Sequence, residues 1–282
     1  MKFALVVPNL NYARFLGECL HSIERQRDVA VDVLVVDGGS NDGSIEIANA
    51  FSERNGWRTE VKPGLNQAAS IQYGIDQLVG SEEVICCWLN SDDCYLSDQA
   101  LKRVHDIFEH YFSVDLVSLG GMYIDENGRN IKPIVYDYHP LIRGDIFRRG
   151  GGFVQPSTFW LSRVMGSVRI DDSFRYVFDG EFFLRCKKSA FNLHLDQREY
   201  ISGYRLHGSN LSLNVPPQRV SELSLVYSQI LDRPVAAGYL RFSSSLLKIL
   251  ERIPFIGHKA KRAFYFVNNG LSYLSRYLIP SI

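Results

Sequence analysis

Apolar residues along this chain switch repeatedly between two periods. Phe3-Ala4-Leu5-Val6-Val7 is a continuous apolar run, the pattern of a strand buried on both faces of a parallel sheet. Beyond Asn11, the residues Tyr12, Phe15, Leu16, Cys19 and Ile23 recur at helical spacing, which predicts an amphipathic helix with Asn11 as its N-cap. Residues 33–36 predict a second strand, and Ile45, Ala48 and Phe51 a helix beginning near Asp42. A short strand over 58–61, a helix through Ala68, Ile71, Ile75 and Leu78, and a strand over 84–89 follow. A helix capped by Ser97 and carrying Leu101, Val104, Phe108 and Phe112 leads to a strand over 115–119. Right-handed crossovers turn this β-α-β-α-β-α-β-α-β order into an α/β fold, an open, mostly parallel sheet with helices on both faces.

Ligands on such sheets bind beyond the carboxyl ends of the strands. Three predicted strand ends are polar: Pro8-Asn9-Leu10-Asn11, Asp37-Gly38-Gly39-Ser40 and Asn90-Ser91-Asp92-Asp93. They are far apart in the sequence, yet this fold brings them to one edge. After residue 120 the character changes. Residues 122–134 predict a hairpin around Glu126-Asn127-Gly128, and Gly150-Gly151-Gly152 a flexible junction. A helix starts near Phe178, with Phe182, Phe183 and Cys186 inward and Arg185, Lys187 and Lys188 toward its C-terminal end. Short strands follow within 192–206. Pro216-Pro217 then breaks the chain, and the remainder reads as helical.

Composition narrows the class. The 282 residues carry 31 Lys+Arg against 31 Asp+Glu, so the chain lacks the overall basic footprint of a nucleic-acid binder. Five cysteines without a C-x-x-C pair argue against a disulfide framework or a zinc site and fit a reducing, cytoplasmic compartment. The run at 3–7 is too short for the core of a signal peptide, and no stretch of 18 apolar residues predicts a spanning helix.

Several polar clusters could carry chemistry. Adjacent Asp92 and Asp93 at a strand end repel unless a cation lies between them or one protonates, and their oxygens suit Mg²⁺ or Mn²⁺. The alternative is an acidic capping turn. Asp37-Gly-Gly-Ser-Asn-Asp-Gly43 allows close backbone approach and could bind a ribose hydroxyl or a base; the alternative is an ordinary tight turn. Strand one is not followed by G-x-G-x-x-G, which disfavours a nicotinamide site. Asp179, near a helix start, is kept ionised there and could accept a proton, with Glu181 as the nearest rival. Gln155-Pro-Ser-Thr-Phe159 and Arg205-Leu-His207 complete the set, His207 being either a ligand or structural.

In this order the segments resemble the inverting glycosyltransferases of family 2, which have the GT-A fold. The resemblance rests on Val6–Asn11, Val35–Gly43, Trp88–Asp93, Gln155–Phe159, the Asp179 segment and Tyr204–His207, and covers about residues 1–210. It implies residues 1–215 as a catalytic domain, with a nucleotide-binding half over 1–120 and an acceptor-binding half over 121–215. Pro8, Asn9, Asn11 and Asp37 would hold the nucleotide. Asn90, Ser91 and Asp92 would contact the donor, and Asp93, Asp92 and His207 a divalent metal, Mn²⁺ or Mg²⁺. Asp179 would be the catalytic base, and Gln155, Ser157 and Thr158 would line the acceptor side. The implied activity is metal-assisted transfer of a sugar from a nucleotide-diphosphate donor, UDP-sugar first, to a hydroxyl with inversion. Two departures stand out: Asn90 replaces the usual first Asp, and Asn66 and Ala69 stand where relatives often carry a Gly and an Asp. The rival readings are a sugar-nucleotidyltransferase, whose Gly-rich, Arg-containing loop is absent after strand one, and an inert nucleotide-binding scaffold.

Residues 216–282 form a helical extension in this reading. From Pro234 onward seven basic residues, Arg241, Lys248, Arg252, Lys259, Lys261, Arg262 and Arg276, face one acid, Glu251, with apolar residues interleaved. Such a basic amphipathic segment suits peripheral attachment to the anionic inner face of the cell membrane, and with it a lipid-linked saccharide acceptor in surface-polysaccharide or glycolipid assembly. The alternatives are helices packed on the catalytic domain or a homodimer interface.

Overall fold

The computed structural model describes residues 1–134, 153–189, 191–210 and 216–231. The chain divides into two units, Met1–Tyr136 with Phe153–Asn214, and Asp137–Gly152 with Val215–Ile282. The first unit holds strands β1 (Phe3–Asn9), β2 (Val31–Asp37), β3 (Arg58–Val61), β4 (Ile85–Trp88), β5 (Cys94–Tyr95), β6 (Leu116–Ile124), β7 (Asn130–Pro133), β8 (Thr158–Leu161) and β9 (Leu193–Arg205). Its helices are α1 (Ala13–Glu24), α2 (Ser44–Asn55), α3 (Gln67–Leu78), α4 (Ala100–His110) and α5 (Phe178–Lys188). The second unit contributes helix α6 (Pro217–Leu231). Gly150-Gly151-Gly152 and the basic tail from Pro234 onward lie outside the described residues.

The strands form one sheet in the order β3-β2-β1-β4-β8-β6-β9-β5, with β7 paired to β6. The β3-β2-β1-β4 portion is parallel, as is the long β6–β9 ladder. Antiparallel pairing enters through β8, between β4 and β6, and through β5 and β7. The sheet is therefore mixed. Its parallel half follows from the apolar runs: every residue of β1 is buried, because helices cover both faces. Phe3, Leu5 and Val7 join α1 and α4 in one core with Leu16, Leu20, Leu101 and Phe108. Val6 points the other way, where α3 approaches so closely that a Cβ on Gly74 would stand 2.6 Å from Val6 Cγ1. Aromatic residues cover the sheet further along. Trp88 stacks on Phe183 of α5 at 5.5 Å and 2°, and Trp160 meets Phe182 edge-on at 5.2 Å.

Local details depart from the pattern-based reading. Asn11 adopts φ 58 and caps nothing; Tyr12 precedes α1 without a side-chain cap, and Asp42 from the next loop accepts the Ala13 N–H at 2.9 Å. Ser97 likewise does not cap α4, whose Leu101 N–H goes to Gln26 Oε1 at 2.9 Å. In both cases a tertiary neighbour supplies the acceptor that a local side chain was expected to give. Phe112 lies past the end of α4 and is 84% exposed. The expected short strands over 192–206 are one long strand whose register shifts at Gly120, where a Cβ would meet Gln197 O at 2.5 Å. The predicted hairpin is present as β6–β7, with Gly128 at φ 78 in its turn.

Candidate active site

The ends of β1 and β2 are locked together. Asn9 and Asp37 are register partners, so both side chains emerge at one level. Asp37 is fully buried, and its carboxylate is saturated. Oδ1 accepts the backbone N–H groups of Gly39 (2.8 Å) and Ser40 (2.7 Å), and Oδ2 accepts from Asn9 Nδ2 (2.7 Å) and Ser40 Oγ (2.8 Å). That carboxylate fixes the orientation of the Asn9 amide, because only its NH₂ can donate to Asp37. Asn9 Oδ1 is thereby left buried without a hydrogen-bond partner. Asn11 closes the same corner: its N–H donates to Ser40 Oγ at 2.8 Å, and its Oδ1 accepts from Asn41 N at 2.9 Å. Pro8 is buried within β1, while Leu10 is exposed against Gly38 and exposed Pro63 sits against Gly39, giving the corner an apolar lip.

The third strand end lies beyond β4, the neighbour of β1 on the other side. The Asp93 N–H returns to Asn90 O at 2.9 Å, making a tight turn that places Asp92 and Asp93 side by side. Antiparallel pairing of Cys94 with Gly203 carries the end of β9 alongside that turn, so the Arg205 N–H donates to Asp93 Oδ1 at 2.9 Å. Asp93 is buried; desolvation first, then the Asp92 charge, pushes its carboxyl well above the usual range. Asp92 Oδ2 meets His207 Nε2 at 2.9 Å. The Ser209 N–H points at His207 Nδ1 (3.2 Å), which puts the proton of the neutral ring on Nε2, where it is donated to Asp92. Asn210 holds the turn by accepting the His207 N–H at 2.6 Å and donating to Arg205 O at 3.0 Å. Tyr12 and Phe15 flank the imidazole at 5.6 and 4.8 Å. Burial, then the two aspartates, pushes the Tyr12 hydroxyl up to about 12.

A chain of amides joins this turn to its flanks. Gln67 Nε2 donates to Asn90 Oδ1 (2.8 Å), Asn90 Nδ2 to Gln155 Oε1 (2.9 Å), and Gln155 Nε2 to Trp88 O (3.0 Å). Gln67 and Asn210 are absent from the pattern-based set. Their only sequence signal is position: Gln67 opens a helix after the cap Asn66, and Asn210 stands three residues past His207. Ser91 is buried in the turn. Ser157 and Thr158 do not face the strand ends. Both are buried, with Ser157 Oγ bonded to Gly120 O (2.8 Å) and Ser202 Oγ (2.5 Å), and Thr158 Oγ1 to Val154 O (2.7 Å) and Ser118 Oγ (2.8 Å). Of the expected acceptor-side residues, only Gln155 touches the Asn90 turn.

Asp179 sits half-buried in the first turn of α5, with the Gly180 N–H 2.7 Å from its Oδ1. The preceding residue, Phe178, lies 6.1 Å from Trp88, which brings this helix start against the strand that ends at the Asn90 turn. Glu181 differs in kind: it is 3% exposed and clamped to Arg185, whose Nη2 donates to Oε2 at 2.7 Å. Its carboxylate oxygens are thus engaged by a guanidinium rather than turned toward the strand ends' chemistry.

The donor chemistry of the turn suits a hard divalent cation. Among the described residues no group of three His, Cys, Asp and Glu side chains is set to hold one, but Asp92 and Asp93 are adjacent carboxylates, and the Arg205 guanidinium beside them reaches the Asp92 carbonyl rather than either carboxylate. Mg²⁺ and Mn²⁺ commonly use one or two carboxylates and complete their shell with water and phosphate oxygens. His207, with its lone pair taken by Ser209, first serves to orient Asp92.

Comparison with known proteins agrees with this architecture. The chain is 32% identical over 117 residues to a PGL/p-HBAD biosynthesis glycosyltransferase of Mycobacterium tuberculosis, a match covering 41% of this chain and 44% of that protein's length. S. aureus TarS 1–349 in complex with UDP-GlcNAc superposes with TM-score 0.63 at 17% identity, over 85% of this chain and 69% of that one. The mannosyltransferase PcManGT from Pyrobaculum calidifontis, in complex with GDP-Man and Mn²⁺, gives 0.60 at 13% identity over 83% and 65%. These structures share the GT-A fold with this chain. The family model for glycosyl transferase family 2 matches residues 4–166, the span that builds the β1, β2 and β4 strand ends, and the chain therefore belongs to that family.

Proposed function

We propose that this chain transfers a sugar from a nucleotide-diphosphate donor to a hydroxyl acceptor with inversion. The observation that carries the reading is the convergence on adjacent strands β2, β1 and β4 of the Asn9–Asp37 corner and the Asp92–Asp93 turn, with the α5 start abutting β4. The corner, with Pro8, Asn9 and Asn11, receives the base and ribose. Asp37 acts there through the loop it braces. Asn90, Ser91 and Asp92 would contact the donor and Gln155 the acceptor, while Ser157 and Thr158 are buried in the chain that follows it. Asp92 and Asp93 would hold Mn²⁺ or Mg²⁺, and His207 would join them through Nε2 once the Ser209 N–H releases Nδ1 to carry the ring proton. Such a cation supplies neutralisation of the charge that builds on the diphosphate leaving group.

Asp179 takes the proton of the acceptor hydroxyl as that oxygen attacks the anomeric carbon opposite the leaving group. A single displacement by a base that forms no bond to the sugar inverts the stereochemistry. A UDP-sugar is the first candidate donor, supported by the UDP-GlcNAc complex of TarS, and a glycolipid or cell-surface polysaccharide the candidate product, supported by the mycobacterial relative. The chain spans less than half the length of that relative, so acceptor and pathway are part of the proposal. Peripheral membrane attachment through residues 234–282 belongs to it as well; among the described residues no helix is long and apolar enough to cross a membrane.

The test is a calorimetric panel of UDP, GDP, dTDP and CMP, each with Mn²⁺ and with EDTA, followed by transfer from the matching nucleotide-sugar. Metal-dependent binding of one nucleotide and an inverted product support the proposal. A chain that binds none of the four and turns over no donor overturns it.

A further inference from the structure

Arg205 is wholly buried at the end of β9 and touches three other elements, the Asp92–Asp93 turn, the β6–β7 turn and α1. Its backbone N–H donates to Asp93 Oδ1 (2.9 Å), and its Nε donates to the Asp92 carbonyl (2.8 Å). Its Nη1 donates to the carbonyls of Asp125 and Glu126 in the β6–β7 turn, each at 3.2 Å. Glu18 of α1 lies 2.8 Å from Nη2 but off the direction of its N–H groups, so this nitrogen has an ion pair and no hydrogen bond. The guanidinium stands 5.1 Å from the Phe15 ring centroid. Burying a charged side chain is a poor route to stability, since an apolar residue of similar volume often does as well. A planar fork that reaches a metal-binding turn on one side and a hairpin turn on the other is suited to fixing angles between them.

We propose that Arg205 is a positioning residue that couples the β6–β7 turn to the Asp92–Asp93 turn, so that displacement of the hairpin is read as a change in cation and diphosphate affinity. The inference rests on the donor-site reading above. Gly128 offers a way to disturb the hairpin without touching the aspartates. It sits at φ 78, and a Cβ there would stand 2.7 Å from Glu18 Oε1 and 3.8 Å from Arg205 Nη1.

The experiment measures Mn²⁺ affinity by electron paramagnetic resonance, UDP affinity with Mn²⁺ by calorimetry, and thermal melting, for the wild-type chain, Arg205→Lys and Gly128→Ala. Groups that orient metal ligands typically change affinity by about 10–100-fold when replaced. Arg205→Lys keeps the charge but not the fork, and is expected to melt cooperatively while losing Mn²⁺ affinity in that range. Gly128→Ala is expected to weaken Mn²⁺ binding in the same direction by a smaller factor. Folded variants that bind Mn²⁺ as the wild type does overturn the coupling. If Arg205→Lys does not fold, Gly128→Ala decides alone. A wild-type chain that binds neither Mn²⁺ nor UDP overturns the donor-site reading, and this inference with it.

Discussion

Asn9 and Asp37 face each other across β1 and β2, 2.7 Å apart, and the carboxylate of one dictates which way the amide of the other points. Asp37→Asn replaces an acceptor-only group by one that presents an NH₂ to the donors around it. Hydrogen bonds to charged groups contribute about 1.5–3 kcal/mol each, and losing one buried partner leaves others unmet. The expected result is a loss of about 2 kcal/mol in denaturant unfolding together with weaker nucleotide binding. An unchanged unfolding midpoint would remove Asp37 from the bracing role.

In the proposed mechanism Asp179 and Glu181, two residues apart, have different tasks. Asp179→Asn is expected to lower kcat by about 10²–10⁴-fold while leaving nucleotide affinity within a factor of about two. Glu181→Gln weakens the clamp on Arg185 and is expected to lower the melting temperature with kcat largely retained. The reverse pattern in single-turnover transfer assays would exchange their roles.

The α1–α2 contact carries a pH signature. Glu24 is held by Arg54 first, then by Asn55 and His21, and its carboxyl drops to about 2. A depressed carboxyl contributes stability that is full above the ordinary glutamate value of about 4.3 and is lost as pH falls toward 2. Melting temperatures recorded from pH 6 down to about 2.5 should fall less steeply for Glu24→Gln than for the wild type over this window. Parallel curves would refute the contribution.

Gly74 lets α3 approach Val6 of β1 so closely that a Cβ there would stand 2.6 Å from its methyl groups. Gly74→Ala forces a methyl against Val6 and is expected to destabilise by about 1–3 kcal/mol despite the better helix propensity of alanine. In a double-mutant cycle with Val6→Ala the two costs should be strongly non-additive, since the second change opens the space the first one fills. Simple additivity would mean that the helix shifts instead.

The parallel half of the sheet was legible because the buried strands are near-continuous apolar runs that stop at polar strand ends. That pattern put Asn9, Asp37 and Asp92–Asp93 at strand ends, and the sheet order sets those ends on neighbouring strands. Hydroxyl groups told less: Ser157 and Thr158 read as site residues, yet they are buried among Gly120, Val154 and Ser202, a distinction that depends on β8 entering antiparallel between β4 and β6. Helix caps supplied by Asp42 and Gln26, and the amide bridge from Gln67, depend on residues brought together by the fold rather than by local spacing.

Asp42 meets the starts of two helices at once, taking the Ala13 N–H on one oxygen and the Ser44 N–H on the other. With Asn11 and Ser40 bridging the same loops, the β1 and β2 ends cannot open independently of each other. The ordering cost of this corner is therefore settled when the chain folds, and a nucleotide bound there as proposed would meet a preformed surface. Binding at this corner should resemble a rigid-body docking event, leaving any slow conformational step to elements outside it.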